Sequence, residues 1–161
     1  MEKLLKIPYA GFNEDWDLLQ QFLERRGNPR YELVGDVYLD YRYDINNLGN
    51  LVRVYGDLNL RDTSIKSLGN LEYVGFHLDL RGTPIESLGN LKYVGSTLNL
   101  YHTSIQSLGN LEYIGGNLDL IYTTIQSLGN LEYVGDTFYL SYDHQIPEEE
   151  INKFKHKIKY I

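Results

Sequence analysis

The side chains best suited to chemistry are few and poorly spaced for it. Four histidines, His77, His102, His144 and His156, are the only imidazoles in the 161 residues. None has the spacing of a metal set or of a histidine–acid dyad. There is no cysteine, which removes thiol catalysis, cysteine-based zinc sites and disulfides. A Gly-rich phosphate cradle and a Gly-x-Ser-x-Gly elbow are also missing. Asn59, Asp79, Asn99 and Asp119 form a row of oxygens 20 residues apart. Amides and carboxylates alternate in that row, so no two carboxylates adjoin to hold calcium. The expectation is a chain that is no enzyme and holds neither metal nor cofactor.

The chemistry that remains is recognition. Another set of 20-residue-spaced positions reads Arg61, Arg81, Tyr101, Ile121 and Ser141, followed one residue on by Asp62, Gly82, His102, Tyr122 and Tyr142. Tyrosines beside arginines are the residue types that dominate binding hot spots. The same types also suit an ordinary strand surface. Candidate partner-binding residues are therefore Arg61, Asp79, Arg81, Tyr101, His102, Asp119, Ile121, Tyr122, Tyr139 and Tyr142. Tyr73, Tyr93, Tyr113 and Tyr133 recur without drift, so they are read as a structural column.

These positions are set by an internal repeat. Leu-Gly-Asn occurs at 48–50, 68–70, 88–90, 108–110 and 128–130, and a Leu-x-Leu pair follows at 58/60, 78/80, 98/100 and 118/120, with Phe138/Leu140 in the last copy. Thr-x-Ile closes the units at 63/65, 83/85, 103/105 and 123/125. One unit brings about six core side chains, such as Leu68, Leu71, Val74, Leu78, Leu80 and Ile85, too few to fold alone but enough for a stack. Leu-Asp-Leu alternation predicts a short strand with leucines inward. A second short strand or irregular path is expected near Tyr73-Val74-Gly75, since 20 residues leave no room for a helix. An earlier, worn copy at Val34-Gly35, Val37-x-Leu39 and Ile45 is displaced by one residue, which predicts a bulge at that strand. The asparagines are expected to stack and satisfy backbone groups at a bend.

The pattern Leu-x-x-Leu-x-x-Val-Gly-x-x-Leu-x-Leu with its asparagines resembles leucine-rich-repeat-like solenoids, especially receptor L-domain-type repeats. It is most similar to the short Ser-Leu-Gly-Asn-Leu-x-Tyr-Val-Gly-Gly arrays of bacterial, phage and giant-virus proteins, over about residues 31–140. The resemblance implies a mainly β, right-handed parallel β-solenoid of about five to six coils, used as a protein-binding scaffold. It transfers no catalytic residue.

Both flanks read as caps, which a coil stack needs at its ends. Residues 1–30 are expected to form an N-terminal helical cap, opened by Asn13-Glu14-Asp15, closed near Arg25–Pro29 and packed through Trp16, Leu19, Phe22 and Leu23. Residues 31–146 form the solenoid. Residues 147–161 form a C-terminal helical cap, with Ile151, Phe154 and Ile158 on one face. Together they make one structural domain.

The formal charge is −7, which disfavours a nucleic-acid or anionic-membrane binder working by bulk charge. It belongs to the coils, since residues 31–146 hold six basic and fourteen acidic side chains. No apolar run is long enough to span a membrane, and Met1–Lys6 has too short an apolar step for a leader. A cytoplasmic protein is expected. The leading functional expectation is a non-catalytic interaction module, in its concrete form a phage protein that sequesters or inhibits a bacterial host defence protein. An acidic nucleic-acid mimic that blocks a nuclease or DNA-binding protein, and a structural homo-oligomer, are the alternatives.

Overall fold

A computed structural model describes residues 3–161. The repeat folds into a parallel β-solenoid of about six coils, because each unit supplies two short extended segments separated by turns. In chain order the strands are β1 (Leu5–Pro8), β2 (Tyr31–Val34), β3 (Val37–Tyr38), β4 (Leu51–Val54), β5 (Leu58–Asn59), β6 (Tyr73–Val74) and β7 (Leu78–Asp79). Then follow β8 (Tyr93–Val94), β9 (Leu98–Asn99), β10 (Tyr113–Ile114), β11 (Leu118–Leu120), β12 (Tyr133–Val134), β13 (Phe138–Leu140) and β14 (Ile158–Tyr160). They form two all-parallel sheets of seven strands, ordered β1-β2-β4-β6-β8-β10-β12 and β3-β5-β7-β9-β11-β13-β14.

The 20-residue step is the pairing register: Tyr73 pairs with Tyr93 and Leu78 with Leu98. The apolar positions of every coil fuse into one continuous core. At roughly 25 cal/mol per Å² of apolar surface removed from water, neighbouring coils stabilise one another where a single coil could not fold.

Turn chemistry explains the recurring polar residues. The Ser67, Ser87, Ser107 and Ser127 hydroxyls accept from the N–H of Gly69, Gly89, Gly109 and Gly129 at 3.0–3.1 Å. Asn47 does the same for Gly49 at 2.9 Å. The Thr63, Thr83, Thr103 and Thr123 hydroxyls donate to the carbonyls of Leu60, Leu80, Leu100 and Leu120 at 2.7–2.8 Å. The asparagine column is less regular than its sequence suggests. Asn70 donates to Asn50 Oδ1 at 3.2 Å, whereas Asn50 and Asn110 donate to the carbonyls of Asn28 and Gly89.

The flanks carry helices, and each also adds a strand. α1 (Trp16–Glu24) is capped by Asp15, which accepts from Leu18 N–H at 3.0 Å. Asn13, the first residue of the expected opening, instead takes a left-handed φ of 52° in the turn before it. Trp16, Leu19 and Leu23 are buried over the first coil. At the other end α2 (Glu148–Ile151) runs into a 3-10 helix at Asn152–Lys157. The expected helical face does not reach Ile158, which opens β14 and pairs with Phe138. A carboxylate and two ammonium groups from this element satisfy backbone groups of the last coil. Glu150 accepts from Leu128 N–H at 2.6 Å, Lys153 donates to Leu131 O, and Lys157 donates to Val134 O and Gly135 O at 2.6 and 2.8 Å.

The displaced early coil is accommodated by a bulge, at a different place from that expected. Tyr31 pairs with Leu51 but Glu32 with Arg53, so the extra residue is Val52 on β4. Val37 then pairs with Leu58, 21 positions away. Among the described residues no helix is long and apolar enough to cross a membrane.

Candidate interaction surface

Where the chain leaves the second sheet it turns sharply, and the candidate residues gather at that corner. Asn59, Asp79, Asn99 and Asp119 each accept, through Oδ1, from the backbone N–H two residues on, at 2.9–3.1 Å. Their alternation of amide and carboxylate therefore serves one turn. Asp79 also clasps Arg81 through Nε at 2.9 and 3.0 Å and through Nη2. Among the described residues Asp119 has no such partner, and desolvation raises its carboxyl above the usual range, against the opposing effects of the Ile121 N–H and Arg81.

One residue past the turn the backbone is left-handed in coil after coil: Tyr41 (φ 61°), Asp62 (53°), Gly82 (68°), His102 (56°) and Tyr122 (54°). Glycine is the residue suited to this geometry, and a bulky side chain there is uncommon. The corner uses glycine once. Tyr122 is 62% exposed and Tyr101 39%; their rings meet edge to face at 5.5 Å. Arg61 donates from Nε to Asp62 at 3.1 Å and lies over the Tyr41 ring at 5.3 Å. Arg61, Asp62, Arg81, Gly82, Tyr101 and His102 line an open cleft of about 220 Å³.

Not every expected residue joins this group. Ile121 is half-buried, and Ser141 is buried with its hydroxyl accepting from Tyr122 N–H at 3.0 Å. Tyr139 is half-buried on the strand face, with Lys159 over its ring at 5.9 Å. Tyr142 is 78% exposed at the end of the corner and stacks at 5.5 Å on Tyr160, which in turn meets His144 at 6.0 Å. Sequence reasoning missed Tyr160, because it assigned 158–160 to a helix. It also missed the exposed Tyr41; shifting the worn coil by one residue aligns Tyr41 with Asp62, His102 and Tyr122.

The opposite sheet carries the undrifting tyrosines. Tyr73, Tyr93, Tyr113 and Tyr133 stack nearly parallel, with centroids 4.8, 4.8 and 4.9 Å apart. Their faces are used on one another. Tyr55 breaks the stack, tilted 51° from Tyr73, because its hydroxyl donates to the buried Glu32 at 3.1 Å.

His77 and His144 accept from the Thr97 and Ile146 N–H groups through Nδ1. Among the described residues no three His, Asp or Glu side chains come together as a metal set. Comparison with family models, curated proteins and solved structures finds no match to this chain.

Proposed function

We propose that this chain is a non-catalytic protein-binding module that uses the corner from Arg61 to Tyr142 as its contact surface. The observation that carries the reading is Tyr122, a large, exposed ring held at φ 54° where glycine would sit without strain. Left-handed backbone costs a non-glycine residue about 1–2 kcal/mol, and such cost is typically found where a side chain is needed for function. Arg61, Arg81, Tyr101 and Tyr142 are of the residue types that anchor interfaces, and a continuous core beneath them keeps the array rigid, which lowers the cost of binding.

The repeats' resemblance to leucine-rich-repeat-like phage arrays makes a bacterial host protein, and within that class a defence component, the partner to seek. The mimic reading gains less support, because Asp79 and Asp62 are each matched by an arginine. The test is capture from bacterial lysate by the protein and by a Tyr101→Ser/Tyr122→Gly variant of matched thermal stability. A host protein retained by the first and lost by the second supports the proposal; equal retention by both refutes it.

A further inference from the structure

The cleft at Gly82 lies on the proposed contact corner, and its chemistry differs from that of the coils around it. Only six basic residues lie between positions 31 and 146, and two of them, Arg61 and Arg81, stand in successive coils here. The backbones beneath them are tied together, Asp62 N–H donating to Arg81 O at 2.9 Å and Gly82 N–H to Tyr101 O at 3.3 Å. Like charges one coil apart repel, so a bare pair would splay. Each guanidinium is instead anchored by its own carboxylate: Arg61 through Nε on Asp62, Arg81 through Nε and Nη2 on Asp79.

That anchoring leaves donors free. A guanidinium carries five N–H groups in a fixed fork. Among the described residues, both Nη groups of Arg61 and Nη1 of Arg81 have no protein acceptor. Gly82 has no side chain, and the Asp62 carboxylate takes that room. A Cβ there would come within 2.2 Å of Asp62 Oδ1, so Asp62 leans across the glycine. Tyr101 and His102 form the far wall, giving an apolar face and an imidazole beside the free forks.

We infer that this cleft receives a carboxylate of the partner protein, bridged by the free Nη groups of Arg61 and Arg81. The inference rests on the protein-binding reading and names what the corner recognises. Two planar forks lining one cleft suit an acceptor with two oxygens, and charge-assisted bonds to a carboxylate are about twice as strong as neutral ones. A glutamate or aspartate side chain and a chain terminus both supply that group.

The test is an amide and arginine Nε–H NMR titration of the full chain with three probes. They are the N-acetyl, C-amide derivatives of glutamate and glutamine, and N-acetylalanine for a terminal carboxylate; inorganic phosphate is run alongside. Saturable shifts at Arg61, Arg81, Gly82, Tyr101 and His102 with glutamate or N-acetylalanine, absent with glutamine and lost in Arg61→Gln/Arg81→Gln, support the site. The stronger of the two carboxylate probes tells side chain from terminus. Equal shifts with glutamine, shifts that survive the double substitution, or saturation by phosphate alone overturn it. Tyr122→Gly lies off the cleft and separates the two proposals. If it abolishes partner capture while the probes fail to bind, the carboxylate site falls and the contact surface stands. If it keeps capture while the probes bind, Tyr122 falls as the anchor of the contact surface and the carboxylate site stands.

Discussion

Tyr122 and Asp119 each sit where the fold would be served as well by a smaller or uncharged residue. At the left-handed corner Tyr122→Gly removes strain of about 1–2 kcal/mol but also the edge-to-face contact with Tyr101, worth about 0.5–1.5 kcal/mol. It adds unfolded-chain entropy of about 0.4–1 kcal/mol. Thermal unfolding should therefore change by no more than about 1.5 kcal/mol while partner capture is lost. At the turn, Asn59 and Asn99 show that an amide fills the place of Asp119. Its raised carboxyl means that the folded chain takes up this proton at higher pH than the unfolded chain. The residue thus penalises folding above its folded pKa, and the penalty fades as pH falls through it. Asp119→Asn should stabilise the fold at neutral pH by about 0.5 kcal/mol or less, the exposed part of the group being screened. Asp79→Asn should not, because it releases Arg81. Calorimetry of the two variants at neutral and acid pH checks both.

Among elements, the turns and the caps set where the stack can bend and end. Gly115 needs its missing side chain for close approach, since a Cβ would lie 2.1 Å from Gly95 O. Gly109 has open space and needs only its φ of 55°. Gly115→Ala should cost about 3 kcal/mol through overpacking and Gly109→Ala about 1–2 kcal/mol through strain, a difference that urea unfolding resolves. The N-terminal cap has its own pH signature. Burial pushes the Tyr9 phenol up to about 12, and burial also raises Tyr31, whose hydroxyl donates to Leu48 O at 3.0 Å. Unfolded tyrosine ionises near ~10. The stability these phenols confer is complete below that pH and is lost as pH rises toward 12. Tyrosinate absorbance from Tyr9 and Tyr31 should therefore appear above the range of unfolded tyrosine, together with loss of α1. A single stage near 10 would show that the cap does not hold them.

Over the whole molecule, legibility followed periodicity. Coils repeating at 20 residues could be placed on strands from Leu-x-Leu alone, because identical units must pair in register. The bulge at Val52 was misplaced because an inserted residue shows only where the phase has changed, downstream of where the backbone absorbs it. Ile158 was assigned to a helix because Ile151, Phe154 and Ile158 fit a helical spacing; pairing with β13, invisible in local pattern, decided otherwise. The corner was legible as a drifting column, yet neither its left-handed backbone nor the burial of Ile121 could be read from residue types. The central claim concerns which side of the solenoid meets another protein. It is tested most directly by placing the photo-crosslinker p-benzoylphenylalanine at position 122, and separately at Tyr133, which is exposed on the opposite sheet. A crosslinked host protein from position 122 and none from position 133 is the predicted result; crosslinking from 133 with none from 122 would contradict it.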